Sequence, residues 1–200
     1  MNYSFAFKSF FGTASSSFNS RVLLTNISPF FESIINESTV LESFSGFYLV
    51  KNIELFTNTP FTIIKVNQGS TIIDVLTLLK NICSEMVFIG IAGSLNESLP
   101  VGKIIAPTLF LNKCEHVNKN TDDITIFQTD GIINNDDYYH RLKKLNVDLV
   151  DMESRYVNSF CTDNNIDLKY FIQVSDLPLS KPFYSVPSLP LNTQALKGVL

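Results

Sequence analysis

Residues 86–92 read MVFIGIA, residues 60–66 read PFTIIKV and residues 170–174 read YFIQV. Successive side chains of a strand point to opposite faces, so apolar residues at nearly every position require burial on both sides of a sheet. Further short runs rich in β-branched and aromatic residues occur at 3–7 (YSFAF), 47–56 (FYLVKNIELF), 102–111 (GKIIAPTLFL), 123–127 (DITIF) and 147–152 (VDLVDM). These are expected to be strands. Helical spacing intervenes. Ile72, Ile73, Leu76, Leu79 and Lys80 recur at helical spacing, with Ser70 or Thr71 placed to cap the first turn. A second helix is expected from near Glu153, where Met152, Tyr156, Phe160 and Cys161 recur on one side, and YYHRLKKL (138–145) belongs to a third. Strands covered on both faces by helices predict an α/β/α sandwich. The segments TASSSFNS (13–20) and LPLSKPFYSVPSLPLN (177–192) read as loops.

With 200 residues, 45% of them hydrophobic, the chain can bury one substantial core, and one domain over residues 1–200 is expected. The net charge is −4 and the 15 Lys and Arg are scattered, which leaves no basic stripe for a nucleic acid. Cys83, Cys114 and Cys161 are widely spaced, without CxxC or paired histidines, so neither a disulfide framework nor a metal site is expected. A reducing, cytoplasmic setting fits these cysteines. No stretch approaches the roughly 18 apolar residues that span a bilayer, and Lys8 interrupts the apolar start, so no membrane association is expected.

Three places combine residues of chemical interest. In NQGSTIIDVLTLL, Gly69 permits a tight turn, and Ser70 and Thr71 open a helix where free N–H groups and hydroxyls can hold an anion or sugar hydroxyls. Read alone, an ordinary capped turn is the favoured reading. In FIGIAGSLNESLPVGKIIAP, Gly90 and Gly93 end a buried strand, where a ligand can approach the backbone closely. No helix follows directly, so this is not a dinucleotide fingerprint. Finally, VDLVDMESRYV and YFIQVSDLP are two apolar strands that end in carboxylates, Asp151 and Glu153 on one and Asp176 on the other. A lone strand-end acid reads as a cap or a solvated turn; two in one sheet point to a polar pocket.

Together these segments resemble the nucleoside phosphorylase/hydrolase superfamily. VDMES followed about twenty residues later by VSD is similar to that family's two acidic signatures. FIGIAGSLNESLPVGKIIAPT, FTIIKVNQGSTIIDVL and FQTDGI resemble its glycine-containing strand, its Gly-Ser-Thr turn and its strand ending in Asp, in family order from about residue 44 to 178. The resemblance implies a mixed central sheet, nucleoside as the small-molecule partner, no cofactor, and a homodimer or hexamer. It further implies that Glu153 accepts hydrogen bonds from the ribose 2′ and 3′ hydroxyls and that Met152 packs against the ribose. Asp176 would protonate the departing purine as general acid, oriented by Ser175. Gly69, Ser70, Thr71, Ala92 and Gly93 would complete the substrate site.

The departures bear on the nucleophile. Phosphorylases of this family place an arginine two residues before the first glycine of the turn, where this chain has Phe88; Arg21 or Lys8 are the remaining candidates for an anion. Hydrolases of this type use a glutamate near the end of the first strand, but residues 1–31 contain neither Asp nor Glu. Ile91 replaces a common Ser or Thr, Ile132 stands near where an aromatic often stacks on the base, and the short tail predicts a reduced closing helix. His116 and His140 lack ligand-spaced partners. The resemblance thus implies cleavage of an N-glycosidic bond by hydrolysis, with phosphorolysis, using phosphate as second substrate, and a degenerate nucleoside-binding homologue as alternatives.

Overall fold

The computed structural model describes residues 3–55, 59–131, 135–185 and 192–200. Ten strands form one mixed sheet: β1 (Arg21–Thr25), β2 (Thr39–Ser45), β3 (Leu49–Leu55), β4 (Thr59–Lys65), β5 (Glu85–Ser94), β6 (Ile104–Ile105), β7 (Leu109–Leu111), β8 (Thr125–Gln128), β9 (Leu149–Asp151) and β10 (Asp167–Asp176). Their order is β2-β3-β4-β1-β5-β9-β8-β7, with β10 also paired to β5 and β6 paired to β10. Helices are α1 (Tyr3–Phe11), α2 (Ser28–Glu37), α3 (Ile72–Leu79), α4 (Asp136–Lys144), α5 (Ser154–Asp163) and α6 (Thr193–Lys197).

Alternation along the central strands divides the core into two faces. Val22 and Leu24 of β1 and Met86 and Phe88 of β5 join the cluster that includes α1, α3 and α5 residues. Leu23, Val87 and Ile89 join the cluster that holds Phe30, Phe31 and Ile34 of α2 and Leu196 of α6. The architecture is therefore a three-layer α/β/α sandwich, as the doubly apolar strands require. No helix among the described residues is long and apolar enough to cross a membrane.

Strand β5 organises the sheet. It runs parallel to β1 on one side and to β10 on the other, while its last residues, Gly93 and Ser94, pair antiparallel with Val150 and Leu149 of β9. A register shift between Val174 and Asp176 sets Asp176 opposite Gly93. The carboxyl ends of β9 and β10 therefore meet at Gly93 from opposite directions.

The structure departs from the sequence reading in several elements. Residues 3–7 are helical, not extended: Tyr3, Phe7 and Phe11 stack at i, i+4 spacing with ring centroids 5.9 and 4.7 Å apart, while Phe5 is 73% exposed. Segment 102–111 forms two short strands separated by Ala106, Pro107 and Thr108, because proline cannot donate to a ladder. Strands β1 and β2 and helix α2 were not expected. A 3-10 turn at Gly69–Thr71 precedes α3, and neither Ser70 nor Thr71 caps that helix through its side chain. Helix α6 has five residues.

Candidate functional site

The meeting point at Gly93 opens into a hollow. Glu153 enters it from the turn after β9, and Asp176 from the end of β10. Met152, Ser175, Ala92 and Gly93 also line it. Gly69 lies against this wall through Glu153, whereas Ser70 and Thr71 are exposed and do not line the hollow.

Two glycines make the approach of these parts possible. Gly69 has φ +80°, a left-handed conformation that L side chains rarely adopt, and this turns its N–H to donate to Glu153 Oε1 at 2.6 Å. At Gly93 a Cβ would lie 2.7 Å from Pro178 Cγ and 3.3 Å from Asp176 Oδ1, so only glycine lets β10 and the loop after it close down.

The two carboxyls sit in different environments. Glu153 is 2% exposed; burial, and then repulsion from Asp151, push its pKa up to about 7 against the opposing Gly69 N–H. Asp151 is also raised by burial, to about 6, although the Ser154 N–H, the Ser154 hydroxyl and the Tyr170 hydroxyl donate to it at 3.0, 2.6 and 2.5 Å. The pair shares charge repulsion and titrates as a unit. Asp176, 7% exposed, is raised by burial, partly offset by Ser175 and by the Phe183 N–H. Ser175 Oγ lies 2.6 Å from Asp176 Oδ1 and 3.1 Å from the Ala92 carbonyl oxygen, which fixes the carboxyl relative to β5.

Several lining residues escaped the sequence reading. Asn26 follows the unrecognised strand β1; Gln68 directly precedes Gly69; Thr129 and Tyr139 come from the β8 side; Phe183 comes from the loop after β10. Ile91 does line the hollow. Asn26, Gln68, Ile91 and Phe183 also border a second, adjoining hollow with Ile27, Ser28 and Pro29.

Among the described residues, no Lys, Arg or His lines either hollow. Arg21 cannot serve as an anion site there: it begins β1, five residues and roughly 16 Å of extended chain from the end that carries Asn26, and it pairs with Glu85 at 2.8 Å. Lys8 lies on α1 and lines neither hollow. Phe88 is fully buried and stacks on Tyr170, with ring centroids 4.6 Å apart. His116 and His140 are exposed and line neither hollow. Ile132 lies outside the described residues. No group of three or more His, Cys, Asp or Glu among the described residues is placed to hold a metal ion.

No protein-family model and no curated protein sequence matches the chain. Solved structures do. An AMP nucleosidase from Bacteroides thetaiotaomicron superimposes with TM-score 0.75 at 16% identity, covering 98% of this chain and 94% of that one. A uridine phosphorylase from Vibrio fischeri gives 0.72 at 12% identity, with 92% and 91% covered. A 5′-methylthioadenosine/S-adenosylhomocysteine nucleosidase from Helicobacter pylori gives 0.71 at 14% identity, with 89% and 96% covered. At these identities the likeness is one of fold, and over nearly its whole length this chain has the fold that these nucleosidases and this phosphorylase share.

Proposed function

We propose that the chain cleaves the N-glycosidic bond of a purine nucleoside and transfers the ribosyl group to water. The observation that carries this reading is that two buried carboxyls from separate strand ends, Glu153 and Asp176, share one hollow that no Lys, Arg or His among the described residues lines.

As the bond between C1′ and the base nitrogen breaks, the electron pair leaves with the base, and positive charge develops on the sugar. Asp176 holds its proton more tightly than an exposed aspartate and delivers it to a ring nitrogen of the leaving purine. Ser175 keeps that carboxyl in place. Glu153 uses one lone pair on the Gly69 N–H and retains acceptor sites for the two ribose hydroxyls, whose donation favours its ionised form. Met152 packs against the ribose, and the backbone of Ala92 and Gly93 lets the base approach. Water attacks C1′, and the proton it releases returns through solvent to the Asp176 carboxylate, giving free base and ribose.

Water fits better than phosphate. A phosphate dianion brought beside Glu153 and Asp151 needs paired cations or several backbone donors, because burying charge without them costs several kcal/mol. A panel of purine and pyrimidine nucleosides, assayed with and without phosphate by chromatography of free base, checks this. Equal purine release in both conditions is expected. Release that depends on phosphate, with ribose 1-phosphate as co-product, would replace the hydrolytic reading, and binding without release would remove the enzymatic one.

A further inference from the structure

Tyr170 of β10 belongs to an apolar cluster, stacked on Phe88 with ring centroids 4.6 Å apart and edge-on to Phe110 at 5.2 Å. A phenylalanine ring would pack there as well, so the hydroxyl calls for its own explanation. It donates to Asp151 Oδ2 at 2.5 Å, linking β10 to the end of β9. Asp151 lines the hollow, and the Ser154 N–H and hydroxyl also donate to it, at 3.0 and 2.6 Å. An ionised carboxylate is acceptor-only, so donors converging on both of its oxygens match the charged form. Tyr170 stays a donor throughout, because burial, and then the Asp151 and Glu153 charges, hold its pKa far above the usual tyrosine range. Glu153 enters the same hollow, and the Asp151 charge is the second cause, after burial, of the rise in its pKa.

We propose that Tyr170 is a positioning residue: its hydroxyl fixes a negative charge on Asp151 beside Glu153, and through that charge makes nucleoside binding depend on pH. The inference deepens the proposed function and rests on it, since it takes Glu153 as the acceptor of the ribose hydroxyls. The chain of effects is electrostatic. Donors hold Asp151 ionised, the fixed charge opposes a second one on Glu153, and Glu153 accepts both hydroxyls only once it has lost its proton. Without the Tyr170 donor, the proton that the pair shares moves toward Asp151, and Glu153 ionises at lower pH. Other elements also face Glu153. The turn before α3 offers the Gly69 N–H and the end of β1 the Asn26 side chain, and both favour the charged form. The remaining titratable groups that line the hollow are Asp176 of β10 and Tyr139 of α4, and no Lys, Arg or His among the described residues does so.

The test uses Tyr170→Phe, which keeps the ring and its stack on Phe88 and removes only the donor. Nucleoside Kd by calorimetry, and KM and kcat by base release, are followed from about pH 5 to about pH 9. In the unaltered protein affinity should rise with pH through a midpoint of about 7. In Tyr170→Phe that midpoint should fall by about half a unit or more, so that affinity at pH 6 improves about twofold to threefold while affinity at pH 8.5 stays within about twofold. The change should lie in Kd and KM, with kcat held within about twofold, because Asp176 delivers the proton. Asp151→Asn supplies a second arm. Its midpoint should fall as well, and adding Tyr170→Phe to it should shift the midpoint no further, since the residue acted upon then carries no charge. A hydrogen bond that merely holds the fold together would lower Tm and weaken binding equally at every pH, with the midpoint in place, and that result overturns the proposal. So does a midpoint that rises, or a Tyr170→Phe shift that persists in full beside Asp151→Asn. Should Asp151→Asn fail to fold, Tyr170→Phe decides alone. Binding by the unaltered protein that is flat with pH removes this inference and leaves the nucleosidase reading standing; absence of nucleoside binding at any pH removes both.

Discussion

Asp176 and Glu153 are both buried acids, and under the proposed function they take different tasks in different surroundings. Asp176 has a hydroxyl and one backbone N–H to oppose burial, and burial still raises its pKa, the direction that suits a proton donor. Asp176→Asn should lower base release by a factor of about 10² or more, while nucleoside affinity measured by calorimetry stays within about tenfold. Full turnover in that variant would assign the acid elsewhere. Glu153 faces Asp151, and both pKa values are raised. A carboxyl that titrates higher in the folded chain than in the unfolded one makes the native state bind more protons between the two values. Stability from this pair is therefore present at low pH and is lost as pH rises from about 4 through about 7. Glu153→Gln removes one charge, so its Tm relative to wild type should grow from pH 5 to pH 8, while its nucleoside affinity falls. A pH-independent difference would separate Glu153 from the stability profile. These two carboxyls were legible because each ends an apolar strand, where a charge is conspicuous. Asn26 was not, because nothing marks a lone asparagine until the strand before it is known.

The elements that were misread share a cause, which is that short segments satisfy two periods at once. Tyr3, Phe5 and Phe7 alternate as a strand does, while Tyr3, Phe7 and Phe11 repeat as a helix does, and only tertiary packing decides between them. Strand β1 has five residues, RVLLT, between polar flanks, too few to show a pattern, although it pairs along its length with both β4 and β5. The turn at Gly69 shows the reverse case. The glycine was visible, but the reason for it was the Glu153 contact 84 residues away and not the capping of α3. Gly69→Ala would force a Cβ into the left-handed region, at a cost of about 1–2 kcal/mol, with Met152 Cε only 3.1 Å from the new atom. The expected result is a lower unfolding midpoint in denaturant together with weaker nucleoside binding, because both Met152 and the Glu153 hydrogen bond must shift. Binding unchanged at reduced stability would show the turn to be structural only.

At the scale of the molecule, the α/β/α layering was readable from strands too apolar to be exposed on either face, whereas the strand order was not. Nothing in a single chain states that β10 must return to lie beside β5, or that β9 enters antiparallel at its tip. That arrangement also has a kinetic meaning. The Gly69 to Glu153 bond closes a span of 84 residues, and the Ser175 to Ala92 bond one of 83. Contacts of such separation form only after a large loss of chain entropy, and each depends on the central strands being already aligned. Residues 149–176 carry both carboxyls, but Gly69 and Gly93, against which they are seated, lie outside that segment. A molecule seated between Glu153 and Asp176 therefore recognises only the completed sheet, and by mass action its binding energy is added to the unfolding of the whole fold and not to one loop of it.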